Sequence, residues 1–535
     1  MKRCFLLWGA FFCWGLAWGQ KEKPVVRLDT VQSDLLNRSL KRVSLPVQYA
    51  ERTVKNPAMK YYSVDFSYTQ MKAYGQGSEE DEAIVQQLGR AYDSYGLDIQ
   101  SVLRPSDGVR AWGRAYYTNT TVRDISWNLT SDYDRVYPYN TVDTLAPAKQ
   151  YGETYAFSGG YAKDMGRYLW GIEASTRNVQ DYRTRDPRPR NRVSDIDLSI
   201  GLGRKLTIPY MLGLSTKLGA YKQAQTISAL ADDRNKISSP IYNMTGLGTS
   251  LFIMNDVKDF SYEAYKIAVA IDVYPENQKG FTANLEVLRD RMNKVIAGAS
   301  SIYNVSRIQE KSVLARAGWI DVDQYRSWFM QGSFEHRNRE GSEVIVANHA
   351  EETGLITDKI NAGMAPYYLE NTTHLKAEGA FETGKRLKWR LQPSIRYSNS
   401  GTKYRYPERS LTWQRLQYQL QTHINWHTGN QLWSLLFSVY QDNSLDSNLD
   451  IDQVLPVTHG NTENSYKGMD RHSRAIEYAN YRFIATNNTQ LEVGIRAEWQ
   501  LFNNKSIFLN PAYRAGWYTQ QVKTSFWQIS LGMAL

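Results

Sequence analysis

The chain has 535 residues, 13% of them aromatic with 37 Tyr and 15 Trp, and a formal net charge of +10. No basic helix or aromatic base-stacking platform accompanies that charge, which argues against a nucleic-acid partner. Cysteine occurs only at Cys4 and Cys13, both in the apolar leader, so the mature chain is expected to have neither disulfides nor cysteine-metal sites.

The leader has a charged start at Lys2 and Arg3, an apolar run from Cys4 to Trp18 and small residues around Ala17 and Gly19. This predicts a secretory signal peptide over 1–19, with Gln20 as the new terminus. A lipoprotein signal at Cys13 is disfavoured by the bulky Phe12 before it. Residues 20–58 are polar without a sustained period and predict a periplasmic N-terminal segment, in part tucked into a lumen, ending at the turn signal Asn56-Pro57-Ala58.

From residue 59 to 535 the dominant signal is period two. A first strand is expected where Tyr62, Val64, Phe66 and Tyr68 alternate with Ser63, Asp65, Ser67 and Thr69. Hairpins follow. Ile196, Leu198, Ile200 and Leu202 lead through a turn to Leu212, Leu214 and Leu218. Ile267, Val269, Ile271 and Val273 precede a Pro275–Gly280 turn. Leu416, Tyr418 and Leu420 lead through Gly429 to Trp433, Leu435 and Phe437. The chain ends on Trp527, Ile529, Leu531, Met533 and Leu535, an apolar face that a barrel in lipid can accommodate.

After the leader no apolar stretch reaches the 18 or so residues of a membrane helix. The mean hydropathy of −0.53 does not count against a barrel, because polar lumen residues dilute the lipid-facing ones. Long polar connections are expected at 70–107, 129–150, 182–192, 224–260, 338–370, 399–410 and 443–471. The expected fold is therefore all-β: a transmembrane antiparallel up-and-down β-barrel of about 18 strands (14–18), with short periplasmic turns and long extracellular loops, in the bacterial outer membrane. A folded plug domain does not fit within 20–58, though the 224–260 loop could constrict the lumen.

Four segments carry a resemblance. They are Ser131-Asp132-Tyr133 with Tyr137-Pro138-Tyr139, the stretch Tyr155 to Ala162, the stretch Tyr182 to Pro189, and Tyr221-Lys222-Gln223. Together they resemble an uncharacterised family of Bacteroidota outer-membrane β-barrel proteins. The resemblance implies location and fold and supplies no catalytic residue.

Inward-facing polar positions nominate a lumen lining of Lys376, Glu378, Lys388, Arg390, Arg396, Arg415, Gln417, Gln419, Arg482 and Arg496. Unpaired cations among them would select anionic solutes; charges paired across the interior would not. In the expected extracellular loops, Tyr133, Tyr137 and Tyr139 could stack on sugars or anchor the barrel at headgroup depth. Arg183, Arg185, Arg188 and Arg190 could grip phosphates of lipopolysaccharide, or form a solvated basic loop. His423 and His427 lie about 13 Å apart on one strand face, too far to chelate one ion, and no metal or other cofactor is expected. The Gly379–Lys385 stretch mimics a phosphate loop, but Arg386 stands where Ser or Thr is needed. No nucleophile-elbow motif occurs, so no enzyme is expected.

The functional expectation is a pore or transporter for small solutes, anionic ones included. The alternative is a non-transport surface scaffold whose loops engage a lipoprotein, receptor or glycan. Expected partners are outer-membrane lipid and lipopolysaccharide, with a lipoprotein or outer-membrane receptor as candidate protein partners.

Overall fold

The computed structural model describes residues 35–535 apart from 144, 229–240, 255–258, 298–301, 324, 351–355, 386, 454–462 and 502–504. The expected leader at 1–19, Arg386 and much of the 224–260 loop lie outside the described residues.

The strands in chain order are β1 (Tyr68–Glu80), β2 (Ala91–Leu103), β3 (Val109–Ile125), β4 (Thr141–Val142), β5 (Ala148–Asp164), β6 (Tyr168–Tyr182), β7 (Arg188–Lys205), β8 (Tyr210–Ser228), β9 (Ile241–Gly246), β10 (Thr249–Met254) and β11 (Asp259–Pro275). They continue with β12 (Gly280–Ala297), β13 (Ile302–Val322), β14 (Arg326–Ala350), β15 (Ile356–Thr383), β16 (Leu387–Tyr404), β17 (Arg409–Thr428), β18 (Gln431–Asp450), β19 (Asn488–Gln500), β20 (Ser506–Tyr518) and β21 (Lys523–Ala534). Eighteen of them form one antiparallel sheet, closed because β21 pairs with β1 in the register Trp527↔Gly77, Leu531↔Ala73 and Met533↔Met71. Closure removes the unpaired edges an open sheet would present. β4, β9 and β10 form a separate small sheet.

Alternation along each strand divides the two faces. Ile196, Leu198, Ile200, Leu212, Leu214, Ile267, Val269 and Ile271 are all exposed on the outside. Their neighbours Asp197, Lys217 and Lys266 face inward, where both lysines pair with Asp197 at 3.0 and 2.8 Å. A wall that is apolar outside and charged inside is the pattern lipid requires. No helix among the described residues is long and apolar enough to cross a membrane.

The two ends differ. At the end carrying Leu535 the connections between strands run from two residues (429–430) to five (104–108). The opposite end carries the long ones, at 126–147, 229–258 and 451–487.

Three expectations are corrected. The first strand starts at Tyr68, because Met59–Tyr62 is a 3-10 turn and Val64, 1% exposed, packs with Val47, Tyr68 and Val102 instead of facing lipid. The expected 70–107 loop holds the β1–β2 hairpin. Its period was masked because β1 turns only Met71, Ala73, Gly75 and Gly77 outward, and the Trp527 ring of β21 lies over both glycines. Most of 338–370 and 399–410 is strand: the hydrogen-bond ladder continues through both stretches, whose many polar residues masked the period.

Among the described residues four α-helices lie apart from the wall: α1 (Leu35–Arg42), α2 (Leu45–Thr53), the one-turn α3 (Tyr133–Val136) and α4 (Glu463–Ile484). α2 begins Leu45-Pro46 after Ser44, where proline's fixed φ and missing N–H cost nothing.

Candidate functional site

The lumen is occupied from both ends. At the short-turn end residues 38–63 cross it. Ser39 Oγ bonds Glu498 of β19 at 2.5 Å, and Tyr49 Oη bonds Thr282 of β12 at 2.7 Å. The Asn56 amide donates to Leu202 O of β7 at 3.3 Å, and Lys60 pairs with Glu173 of β6. Contacts on such widely separated strands mean that the segment spans the cross-section.

Its firmest anchor is Arg390, fully buried on β16. The guanidinium holds Glu382 of β15 at 2.7 Å and also bonds Gln48 and the Val43 carbonyl, while Glu382 accepts the Leu45 N–H at 3.1 Å. Opposite, the backbone of Pro57 and Ala58 lies directly on Gly171 and Gly201, and the side chains of Asn56 and Met59 lie on Gly213. A Cβ on Gly171 would come within 2.5 Å of Pro57 C, and one on Gly201 within 2.9 Å of Ala58 N.

At the long-loop end the β3–β5 connection folds inward. Asn191 and Gln225 donate to Leu129 O, Arg177 pairs with Asp132 at 2.6 Å, and Arg339 of β14 donates to Asp134 O and Tyr137 O. β4 pairs with β9, so the β9–β10 hairpin joins this layer. Lys294, inward on β12 and 2% exposed, clasps the layer to the wall. Its ammonium donates to Tyr139 O (2.8 Å), Thr141 Oγ1 (3.2 Å) and Asn243 Oδ1 (2.6 Å), all neutral acceptors. α4 closes the far side: Ser473 donates to Gly248 O at 2.6 Å, and Arg415 of β17 donates to Phe483 O, Ile484 O and Thr486 O. Burial pushes the Glu477 carboxyl of α4 up to about 7, partly offset by Arg409 and the Gly248 N–H.

Below this cap, a cavity of about 340 Å³ opens between α3 and strands β11–β14. Asp134, Arg135, Lys266, Asp290, Glu310, Arg337 and Arg339 line it with Leu288, Met292 and Ile308. Arg135 pairs with Asp290 at 3.1 Å and Asp195 at 3.4 Å, and Arg339 with Glu310 at 2.8 Å. The size falls at the lower end of small-molecule sites, about 300–1,000 Å³. Asp290 Oδ1 and Arg337 Nε are buried without a hydrogen-bond partner, one acceptor and one donor left for a ligand or water.

Of the nominated lumen residues, Lys376, Glu378, Lys388, Arg390, Arg396, Arg415, Gln417, Gln419 and Arg496 occupy inward strand positions. Arg482 lies on α4 and pairs with Glu82 of the β1–β2 connection. Most of the cations are neutralised: Lys376 by Glu378 (2.6 Å), Lys388 and Arg390 by Glu382, Arg415 by Asp442 (2.9 Å) and Arg496 by Glu498 (2.7 Å). Gln417 bonds Asp442 and Gln419 bonds Ser438. Arg396 is inward and exposed, facing open space.

The loop placements are corrected for all but Arg185. Tyr133, Tyr137 and Tyr139 are inside the barrel, with Tyr137 edge-on to Tyr368 and Tyr139 2% exposed; burial raises the hydroxyl pKa of all three well above the ordinary value. Arg183 is buried, bonded to Asn128 O and 3.6 Å from Asp143, whose carboxyl burial pushes up. Arg188 pairs with Asp186 at 2.7 Å. Arg185 and Arg190 alone of the four are exposed. Polar neighbours made Tyr133–Tyr139 and Arg183 read as surface, whereas they turn inward to bond a polar wall; Arg185 does lie in the β6–β7 connection, and Arg188 and Arg190 belong to β7.

Lys294, the glycine seat and α4 escaped the sequence reading. The glycines are visible in the sequence, but only the strand register shows that they share one inner patch. Among the described residues no His, Cys, Asp and Glu cluster is placed to hold a metal ion.

Several solved structures are similar at low identity. The ferric preacinetobactin receptor of Acinetobacter baumannii is 9% identical with a TM-score of 0.38, over 88% of this chain and 80% of that one. The unliganded ferric citrate transporter is 10% identical with a TM-score of 0.37, over 87% and 78%. The ferric yersiniabactin uptake receptor of Yersinia pestis is 8% identical with a TM-score of 0.36, over 87% and 80%. Likeness at this level carries no argument about ligand or mechanism. No curated protein matches the chain. A family model does match, over residues 57–535, and the chain belongs to that family, DUF6850, a family of unknown function.

Proposed function

We propose that the protein is a gated solute barrel of the bacterial outer membrane, exported through a leader at 1–19 and closed in the state described. The observation that carries this reading is the way the lumen is filled. Both fillings are held to the wall by hydrogen bonds and ion pairs, and the charged 340 Å³ cavity lies beside one of them. Polar contacts can be exchanged for water when a segment moves, at a modest net cost of about 0.5–1.5 kcal/mol per hydrogen bond. Apolar clusters add to these anchors, Leu45, Tyr49 and Met59 packing on Met211, Tyr274 and Phe329 at one end and Val136 and Tyr139 on Val193, Tyr262 and Met292 at the other. The cavity lining carries both charge signs, which favours a small solute bearing both over a simple anion.

The test is conductance in planar bilayers. The native protein is expected to be nearly silent, and a variant lacking both residues 35–58 and the inward-folded 128–143 to conduct. A folded deletion variant that stays silent would overturn gating and favour the scaffold reading, which the double occupation of the lumen also supports. Co-purification of a lipoprotein or receptor from native membranes would then identify its partner.

A further inference from the structure

The outer wall carries a feature that solute passage does not use. On β12 and β13 the residues Arg289, Arg291, Arg307 and Lys311 all occupy outward positions toward the long-loop end. Arg289 and Lys311 stand directly opposite each other in the register. Like charges so placed, with Cβ atoms about 4.5–5.5 Å apart, destabilise a sheet unless an anion joins them. None of the four forms an ion pair among the described residues; Arg307 donates only to Asn293 Oδ1 at 3.0 Å. The nearest outward carboxylates do not serve: Glu263 is held by Lys222 at 2.7 Å, and Glu340 lies diagonal to Lys311 across the β13–β14 register.

Directly below this group the wall is recessed. Ala315, Ala317, Gly332 and Ala377 form the floor of an outward cavity of about 550 Å³, walled by Phe334, Leu375 and Ile395. Ala315 is four residues along β13 from Lys311, about 13 Å at the strand rise. Exposed Ile267, Val287 and Val313 mark the same level as the top of the apolar band.

We infer that this wall binds one acyl lipid with a phosphate-bearing headgroup, the phosphate between Arg289 and Lys311 and an acyl chain in the recess over Ala315, Gly332 and Ala377. Arginine forks suit phosphate oxygens, and an acyl chain suits a recess lined by small apolar residues. The inference rests on the barrel standing in a bilayer and not on passage through the lumen, so its failure leaves the conductance test untouched.

Delipidated protein in mild detergent would be titrated with bisphosphorylated lipid A, its dephosphorylated form and inorganic phosphate, with retained lipid read by native mass spectrometry. The phosphorylated lipid is expected to be retained about tenfold more tightly than the dephosphorylated one, and increasingly weakly as salt screens the charges. Arg289→Gln with Lys311→Gln should abolish the preference. Ala377→Leu, which fills the recess, should lower retention with every charge in place. Equal retention of the two lipids, indifference to salt, or displacement by inorganic phosphate as effective as by lipid would each overturn the inference. The salt series on the native protein decides the matter even if a variant fails to fold.

Discussion

At Gly171, Gly201 and Gly213 the wall lacks side chains, and the segment Asn56–Met59 occupies their space. Gly201→Val is expected to unseat the segment, since overpacking of this kind costs about 1–3 kcal/mol. The readout is hydrogen exchange: amides over 45–63 should quicken while the barrel strands stay protected, and unchanged exchange in a folded variant would contradict the seat. At the other end Lys294→Met keeps the volume but removes the three hydrogen bonds that clasp the layer, while Tyr139 O keeps the one from Tyr262 Oη at 2.9 Å. Hydrogen bonds to a charged group contribute about 1.5–3 kcal/mol. Hydrogen exchange should quicken over 139–143 and 241–246 while the barrel strands remain protected. Neither residue could be singled out from sequence, because a glycine or a lysine in a polar alternation becomes meaningful only when register brings a second segment against it.

At the scale of elements, α4 is the part of the cap most open to titration. The Glu477 carboxyl is raised from 4.5 to about 7, so the folded cap favours its neutral form. That contribution is fully present below about pH 4.5 and is lost as pH rises through about 7. The cap is therefore expected to loosen between pH 5 and 8, read as exchange at α4 and β10, and Glu477→Gln should flatten the profile. A native profile matching that of the Gln variant would contradict the assignment. Strands such as β7 and β8 were legible because Ile196–Leu202 and Leu212–Leu218 face lipid without interruption. α4 was not, because a helix bathed in a polar lumen has no wide apolar stripe for its period to reveal. The inner layer of β4 and β9 was hidden for a related reason: its few residues are buried on both faces, so no alternation marks them.

For the whole molecule, the closed barrel follows from period two and from the contrast between short and long connections, both present in the chain. What fills the barrel does not, since it depends on contacts between segments hundreds of residues apart. Closure itself is a set of such contacts, the β1–β21 ladder, with Trp527 lying over Gly75 and Gly77. Trp527→Ala is expected to weaken the seam by about 1–3 kcal/mol in lost buried surface. Semi-native electrophoresis should show the folded band converting to the unfolded one at a lower temperature; unchanged conversion would remove the ring from the closure.

That seam has a kinetic meaning. Met71 and Met533 are register partners, so the two flanks that complete the cylinder are separated by almost the entire polypeptide. No partial chain can form it. Until β21 has been delivered, any sheet already made has two open margins, and the Trp527 indole covers the two glycines that had no side chain of their own to shield them. The C-terminal strand thus acts as a completion check, and a chain truncated before Trp527 should remain an open sheet exposed to aggregation and proteolysis.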